Sequence, residues 1–194
     1  MKKDIILAGV GGQGILSIAT VIAEAATRAG IYLKQAEVHG MSQRGGDVQS
    51  HLRLSTEPIH SDLIPHGEAD LIIAMEPMEA LRYVPWLTPD GWVITSSEPF
   101  INIPNYPDTD TLLQALQALP RLRMQPIEAQ ARQLGAPKSA NMILLGMAAP
   151  YLDLLTPDQL KEAIATVFAR KGETIVGKNQ EAYYLGIQSH EAIQ

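Results

Sequence analysis

The chain has no cysteine among its 194 residues. It can form no disulfide, offer no thiolate to an iron–sulfur cluster and use no cysteine nucleophile. It also lacks long apolar runs: none approaches the roughly 18 residues that span a bilayer. The N-terminal Lys2 and Lys3 lead straight into Asp4, without the apolar core and small-residue cleavage site of a secretory signal. A soluble cytoplasmic protein with no membrane partner is expected. Basic excess is missing too, with 15 Lys plus Arg against 21 Asp plus Glu and a net charge of −6. This balance argues against a nucleic-acid footprint spread over the whole surface, though not against one local basic loop. There is no internal repeat and no low-complexity tract.

What is present suits a domain. A chain of this length can bury a full hydrophobic core without disulfide or metal staples. Ile5 to Ala8 is a short apolar run closed by glycine, which predicts a strand buried on both faces of a parallel sheet. Ile15, Ile18, Ala19, Ile22, Ala23 and Ala26 then recur at helical spacing between Gln13 and about Ala29, and Gly30 is a good terminator. Ile31 to Ala36 reads as a second strand, so these elements form a strand–helix–strand unit expected to cross over to parallel pairing.

Val48 to Ser55 alternates Val48, Ser50, Leu52 and Leu54 against Gln49, His51 and Arg53, the pattern of a strand with one wet side, open to antiparallel pairing. Buried strands are predicted at Asp70–Met75 and, after a Pro89-Asp90-Gly91 turn, at Trp92–Thr95, with a helix over Pro77–Tyr83 between them. The proline-bearing segment 97–109 reads as a surface connection inside one domain; a boundary between a nucleotide-fold core and a helical tail is the alternative. Thr111–Leu119 reads as a helix and Arg123–Ile127 as a last short strand.

The remainder reads as helical. Ser139–Tyr151 carries an apolar stripe in which Gly146 permits a close backbone approach. Thr156-Pro157-Asp158-Gln159 has the form of a capping box with proline at the first helical position. A final helix is expected over Asn179–Gln188. The fold class is α/β, a Rossmann-like, mostly parallel sheet flanked by helices, with a helical C-terminal part.

Two loops carry the functional signal. Gly9, Gly11 and Gly14, with Gly12 and Gln13 between the last two, have the dinucleotide-fingerprint spacing between a strand and a helix. Backbone N–H groups there can cradle a pyrophosphate. Equally, such glycines can serve only a tight turn and close helix–sheet packing. The fingerprint wants an acid about 20 residues later to hold the ribose hydroxyls, and Glu37 is near that place. A free-standing dinucleotide-dependent oxidoreductase is therefore one open reading, and a purely structural scaffold is another.

The second loop is Glu37-Val38-His39-Gly40-Met41-Ser42-Gln43-Arg44-Gly45-Gly46. The fork of Arg44 suits a carboxylate or phosphate, the glycines let backbone approach a ligand, His39 could carry a proton, and Ser42 could donate a hydrogen bond. Met41 is placed to face a partner. Ser42 has no evident base, so no catalytic residue is assigned. His51, His60, His66 and His190 lack metal-ligand spacing, and no metal site is assigned.

Taken together, the two strings resemble the gamma subunit or domain of the 2-oxoacid:ferredoxin oxidoreductases, and within that family most resemble the beta subunit of the indolepyruvate enzymes. The likeness continues through Val48 to Arg53, the pair Glu76-Pro77, and Asn141-Met142-Ile143-Leu144-Leu145-Gly146. It implies one gamma-type domain over residues 1–194, belonging to an enzyme that oxidatively decarboxylates an aryl 2-oxoacid. Coenzyme A is the implied acyl acceptor and ferredoxin the electron acceptor. It further implies a large alpha subunit carrying the thiamine diphosphate and iron–sulfur clusters, with no cofactor on this chain. The missing cysteines agree with that division. The residues left for ligand or partner binding are those of the two loops.

Overall fold

The computed structural model describes residues 1–39, 46–101 and 103–191, the side chains of His39, His190 and Glu191 excepted. Six strands form one sheet in the order β2-β3-β1-β4-β5-β6. They are β1 (Lys2–Val10), β2 (Tyr32–His39), β3 (Asp47–Ser55), β4 (Ala69–Ala74), β5 (Leu87–Ser96) and β6 (Leu122–Gln125). The pairs from β1 through β4 and β5 to β6 are parallel, whereas β3 is antiparallel to both its neighbours.

This corrects one expectation. β1 and β2 do not pair, because β3 lies between them, with Leu7 opposite Ser50 and Ser50 opposite Glu37. The alternation in β3 accounts for the insertion. Leu52 and Leu54 fall into the core on one side, while on the other Arg53 forms an ion pair with the buried Asp4 and His51 accepts a hydrogen bond from Ile64 N–H. A strand that is apolar on one side and polar-but-satisfied on the other fits there, beneath the loop that follows it.

Seven helices cover the sheet among the described residues: α1 (Ile15–Arg28), α2 (Pro77–Tyr83), α3 (Thr109–Gln117), α4 (Ile127–Gln133), α5 (Ala140–Ala148), α6 (Pro157–Phe168) and α7 (Glu173–Glu191). One face packs Ile5, Leu7, Leu52, Leu71 and Ile73 against α1 and the helices from α4 onward. The opposite face packs Ile6, Ala8, Ile72 and Val93 against α2 and α3.

The sequence reading missed α4: Ile127 opens that helix and is fully buried in it, so the last strand stops at Gln125. The Pro89-Asp90-Gly91 turn is instead an irregularity inside β5, where Ala69 pairs with Leu87 but Leu71 pairs with Trp92. Gly91 is required at that bulge, since a Cβ would stand 2.6 Å from the Leu87 side chain and 3.0 Å from Ala69 O. The final helix begins at Glu173, six residues before the apolar pattern suggested.

Other expectations are met. The capping box at Thr156 is complete, with Gln159 N–H donating to Thr156 Oγ1 at 3.2 Å and Thr156 N–H donating to Gln159 Oε1 at 2.8 Å. All nine residues of α5 are buried, and Gly146 crosses Gly186 of α7 so closely that a Cβ on either would collide with the other helix's backbone.

Candidate functional site

The C-terminal end of β1 runs into the glycine loop and then into α1. Gly12 and Gly14 have φ of 106° and 81°, so the turn depends on left-handed conformations that glycine adopts without penalty. Several loop residues hold the scaffold. Val10 N–H donates to Gln13 Oε1 at 2.8 Å, and Gln13 Nε2 reaches Met75 O at 3.4 Å, fastening the loop to the end of β4. Gly9 lies close under Met75, whose Cβ would be 3.3 Å from a Cβ added there. Asn141 Nδ2, from α5, donates to Gly14 O at 3.0 Å.

α1 begins at Gly14 with no side-chain cap and no acid in its first turn. Ser17 N–H donates to Gly14 O at 3.0 Å, whereas the N–H groups of Ile15 and Leu16 have no acceptor within the helix and lie at the positive end of a 14-residue dipole. That arrangement suits an anion.

The two ends of the polar loop adjoin this site at the same end of the sheet. Gly11 N–H donates to Gly46 O at 2.8 Å, and His39 closes β2 opposite Val48. Gly40, Met41, Ser42, Gln43, Arg44 and Gly45 lie outside the described residues. Glu37 does not sit where a dinucleotide site needs its acid. It lies on the edge strand, two strand spacings (roughly 10 Å) from β1, where it accepts a hydrogen bond from Gln35 Nε2. The free-standing dinucleotide reading thereby loses its ribose ligand.

A cavity of about 580 Å³ opens beside the glycine loop. Gly12, Gln13, Gly14 and Ser17 form one wall, and Met75 with the segment Glu98-Pro99-Phe100 another. Glu128 and Arg132 of α4, Lys138 and Asn141 at the start of α5, and Phe168 and Lys171 at the end of α6 complete it. Sequence reasoning had singled out only the glycine loop, with Asn141 as part of a matching string. The rest, Ser17 apart, come from five separate segments with no fixed spacing, so no linear signal marks them.

The charges are arranged in pairs. Arg132 Nη2 donates to Glu98 Oε1 at 2.8 Å, and Ala129 N–H donates to Glu98 Oε2 at 2.9 Å. Burial opposes the charge on Glu98, but these donors and the Glu128 carboxyl outweigh it and hold Glu98 below the usual glutamate value. Glu128 is pushed up to about 7, chiefly by burial and further by its hydrogen-bonded contact with Glu98, against the Ser96 hydroxyl that donates at 2.7 Å.

The segment after β5 is held from below. Glu76, fully buried at the end of β4, accepts hydrogen bonds from Glu79 N–H, Phe100 N–H and the Tyr106 hydroxyl, which ties the strap 97–108 to the start of α2. His51 is buried and shifted downward, first by desolvation, and His66 stacks on Trp86. Among the described residues no group of three or more His, Cys, Asp or Glu side chains could hold a metal ion.

Comparison with known proteins now decides the family. The profile of the pyruvate ferredoxin/flavodoxin oxidoreductase family matches residues 4–189. The chain belongs to that family. It is a subunit of a 2-oxoacid:ferredoxin oxidoreductase. The indolepyruvate oxidoreductase subunit IorB of Archaeoglobus fulgidus is 35% identical, over 96% of this chain and 94% of its own. The same subunit of Thermococcus kodakarensis is 33% identical, over 97% and 96%. The common gamma subunit of the Pyrococcus furiosus pyruvate/ketoisovalerate oxidoreductases is 27% identical, over 90% and 92%.

Solved structures share the fold. The 2-oxoglutarate:ferredoxin oxidoreductase of Magnetococcus marinus, solved with 2-oxoglutarate, coenzyme A and succinyl-CoA bound, superposes with a TM-score of 0.78 at 23% identity. All of this chain is covered, and it spans 32% of that one. The Thermotoga maritima pyruvate oxidoreductase subunit PORC gives 0.74 at 18% identity, over 96% of both chains. The family's enzymes use thiamine and iron–sulfur chemistry. A chain without cysteine has no thiolate for such a cluster, so the residues of this subunit do not fit that group.

Proposed function

We propose that this chain is the small subunit of an enzyme that oxidatively decarboxylates an aryl 2-oxoacid such as indolepyruvate. The carboxylate leaves as carbon dioxide, the acyl group passes to the thiol of coenzyme A, and two electrons leave to ferredoxin. Thiamine diphosphate and the iron–sulfur clusters reside on a large alpha subunit that this chain joins in a cytoplasmic hetero-oligomer. The chain itself is one domain, inactive alone. The observation that carries the substrate class is the higher identity to the IorB subunits, 35% and 33%, than to the pyruvate/ketoisovalerate gamma subunit, 27%.

Within that complex the cavity beside the glycine loop receives phosphate groups of coenzyme A. The open end of α1 and the side chains of Lys138 and Lys171 supply the attraction. The guanidinium of Arg44 is suited to the same phosphates, and the rest of the 37–46 loop meets the alpha subunit.

The test is kinetic. The chain is co-expressed with its large subunit, and ferredoxin reduction is followed with indolepyruvate, pyruvate and 2-oxoglutarate. Indolepyruvate is expected to give the highest kcat/KM. The double substitution Lys138→Ala, Lys171→Ala is expected to raise the KM for coenzyme A about tenfold or more while leaving the 2-oxoacid KM in place. An unchanged coenzyme A KM removes this cavity from the site. Arg44→Ala tests the loop in the same assay, with the same criterion.

A further inference from the structure

Of the nine buried residues of α5, Asn141 is the one with a polar side chain. It is 7% exposed and lies on the cavity wall, just beyond Lys138. Chemistry settles the orientation of its amide. Gly14 O is an acceptor only, so the group 3.0 Å from it is the nitrogen, Nδ2, and the oxygen points the other way. Among the described residues Oδ1 has no hydrogen-bond partner, and it is not sealed inside the protein, since its side chain lines the cavity. An unpaired acceptor on a side chain this buried is costly unless a ligand supplies the donor.

Ser17 completes the corner. Its Oγ and the Asn141 Nδ2 would stand 4.0 and 2.8 Å from a Cβ on Gly14. The Ser17 hydroxyl likewise has no hydrogen-bond partner among the described residues. The two side chains differ in what they ask of an anion. An ionised phosphate offers acceptors alone, which suits the Ile15 and Leu16 N–H groups and the Ser17 hydroxyl but leaves Asn141 Oδ1 unanswered. A ligand that answers it brings a donor as well. Because Asn141 and the open end of α1 meet at Gly14, that donor stands next to the phosphate. In a phosphate ester the nearest such donor is a hydroxyl on the adjoining carbon.

We propose that Asn141 makes this cavity selective for a phosphate ester with a hydroxyl on the neighbouring carbon: Nδ2 holds Gly14, and Oδ1 accepts from that hydroxyl while the start of α1 takes the phosphate. The inference rests on the reading of the cavity as a site for coenzyme A, whose ribose carries a 3′-phosphate beside a free 2′-hydroxyl. It assigns that end of the coenzyme, and not the pyrophosphate, to the glycine loop.

Adenosine 3′,5′-bisphosphate and its 2′-deoxy counterpart are the probes, since they differ only in the hydroxyl. Binding of each to the assembled complex is measured by calorimetry at about pH 8, where the phosphates carry their full charge. The wild type is expected to bind the ribo compound about tenfold more tightly than the deoxy one. Asn141→Leu, close in volume and without the acceptor, is expected to bind the two alike, at the deoxy level or below. Loosening of the glycine loop in that variant lowers both affinities together, so the ratio between them is the measure. The wild-type comparison needs no variant, and Asn141→Ala repeats the second measurement should leucine not pack. Equal binding of the two compounds by the wild type overturns the role of Asn141 and leaves the anion site standing. So does a preference that survives the substitution, or failure of both compounds where coenzyme A itself binds. Absence of binding by coenzyme A as well overturns the anion site and this inference with it.

Discussion

At the scale of single residues, the site is held by side chains whose work is indirect. Gln13 belongs to the glycine loop, yet its amide braces Val10 and Met75. Asn141, far along the chain, stands against Gly14 so closely that a Cβ there would come within 2.8 Å of its Nδ2. Glu128 allows a prediction about stability. Its proton is held more tightly folded than unfolded, so its contribution is fully present below the ordinary glutamate value and is lost as pH rises through about 7. Urea midpoints are therefore expected to fall for the wild type between about pH 4.5 and 7, and to fall less for Glu128→Gln. Equal slopes for the two proteins would contradict this. The glycine loop was legible because strand, glycine spacing and helix are local features. Glu128, Arg132 and Lys171 were not, because only packing brings α4 and the end of α6 to that loop.

At the scale of elements, patterns with a physical signature survived and those needing a partner did not. The capping box at Thr156, the helix at Pro77 and the polar-alternating β3 are written in neighbouring residues. The placement of β3 between β1 and β2 is not, since it depends on what covers His51 and Arg53: Arg53 binds Asp4 at 2.7 Å and the carbonyls of Ser61 and Leu63, so the loop after β3 becomes its cover. Gly146 was legible as a close approach, but its partner Gly186 was not. These two glycines contrast with Gly177 of the same α7, around which a Cβ meets nothing within 4 Å. Gly177→Ala is expected to stabilise by up to about 1 kcal/mol from helix propensity alone. Gly146→Ala gains the same propensity and loses more to the clash, for a net destabilisation of about 2 kcal/mol or more. Chemical denaturation of both variants checks the pair; a stable Gly146→Ala protein would mean the helices part easily.

At the scale of the whole molecule, one apolar cluster runs from Ile5 and Ile18 through Leu52 and Ile127 to Leu144, Ile164 and Tyr183. The residues before and after the proline-bearing segment thus share a core, and we propose that they unfold as one domain, not as a nucleotide fold with a separate tail. Unfolding followed by far-ultraviolet circular dichroism and by tryptophan fluorescence is expected to give coincident transitions. Trp86 and Trp92 report on the sheet, and the late helices supply much of the dichroism, so two separated midpoints would restore the boundary. The same core gives the early strands a temporal order. β2 and β3 adjoin in sequence and close their ladder across one intervening loop, whereas β1 must reach across α1 and β2 to pair with β3 and lies more than 55 residues from β4. The β2–β3 hairpin can thus assemble first, before the strands that flank it in the finished sheet have found their places.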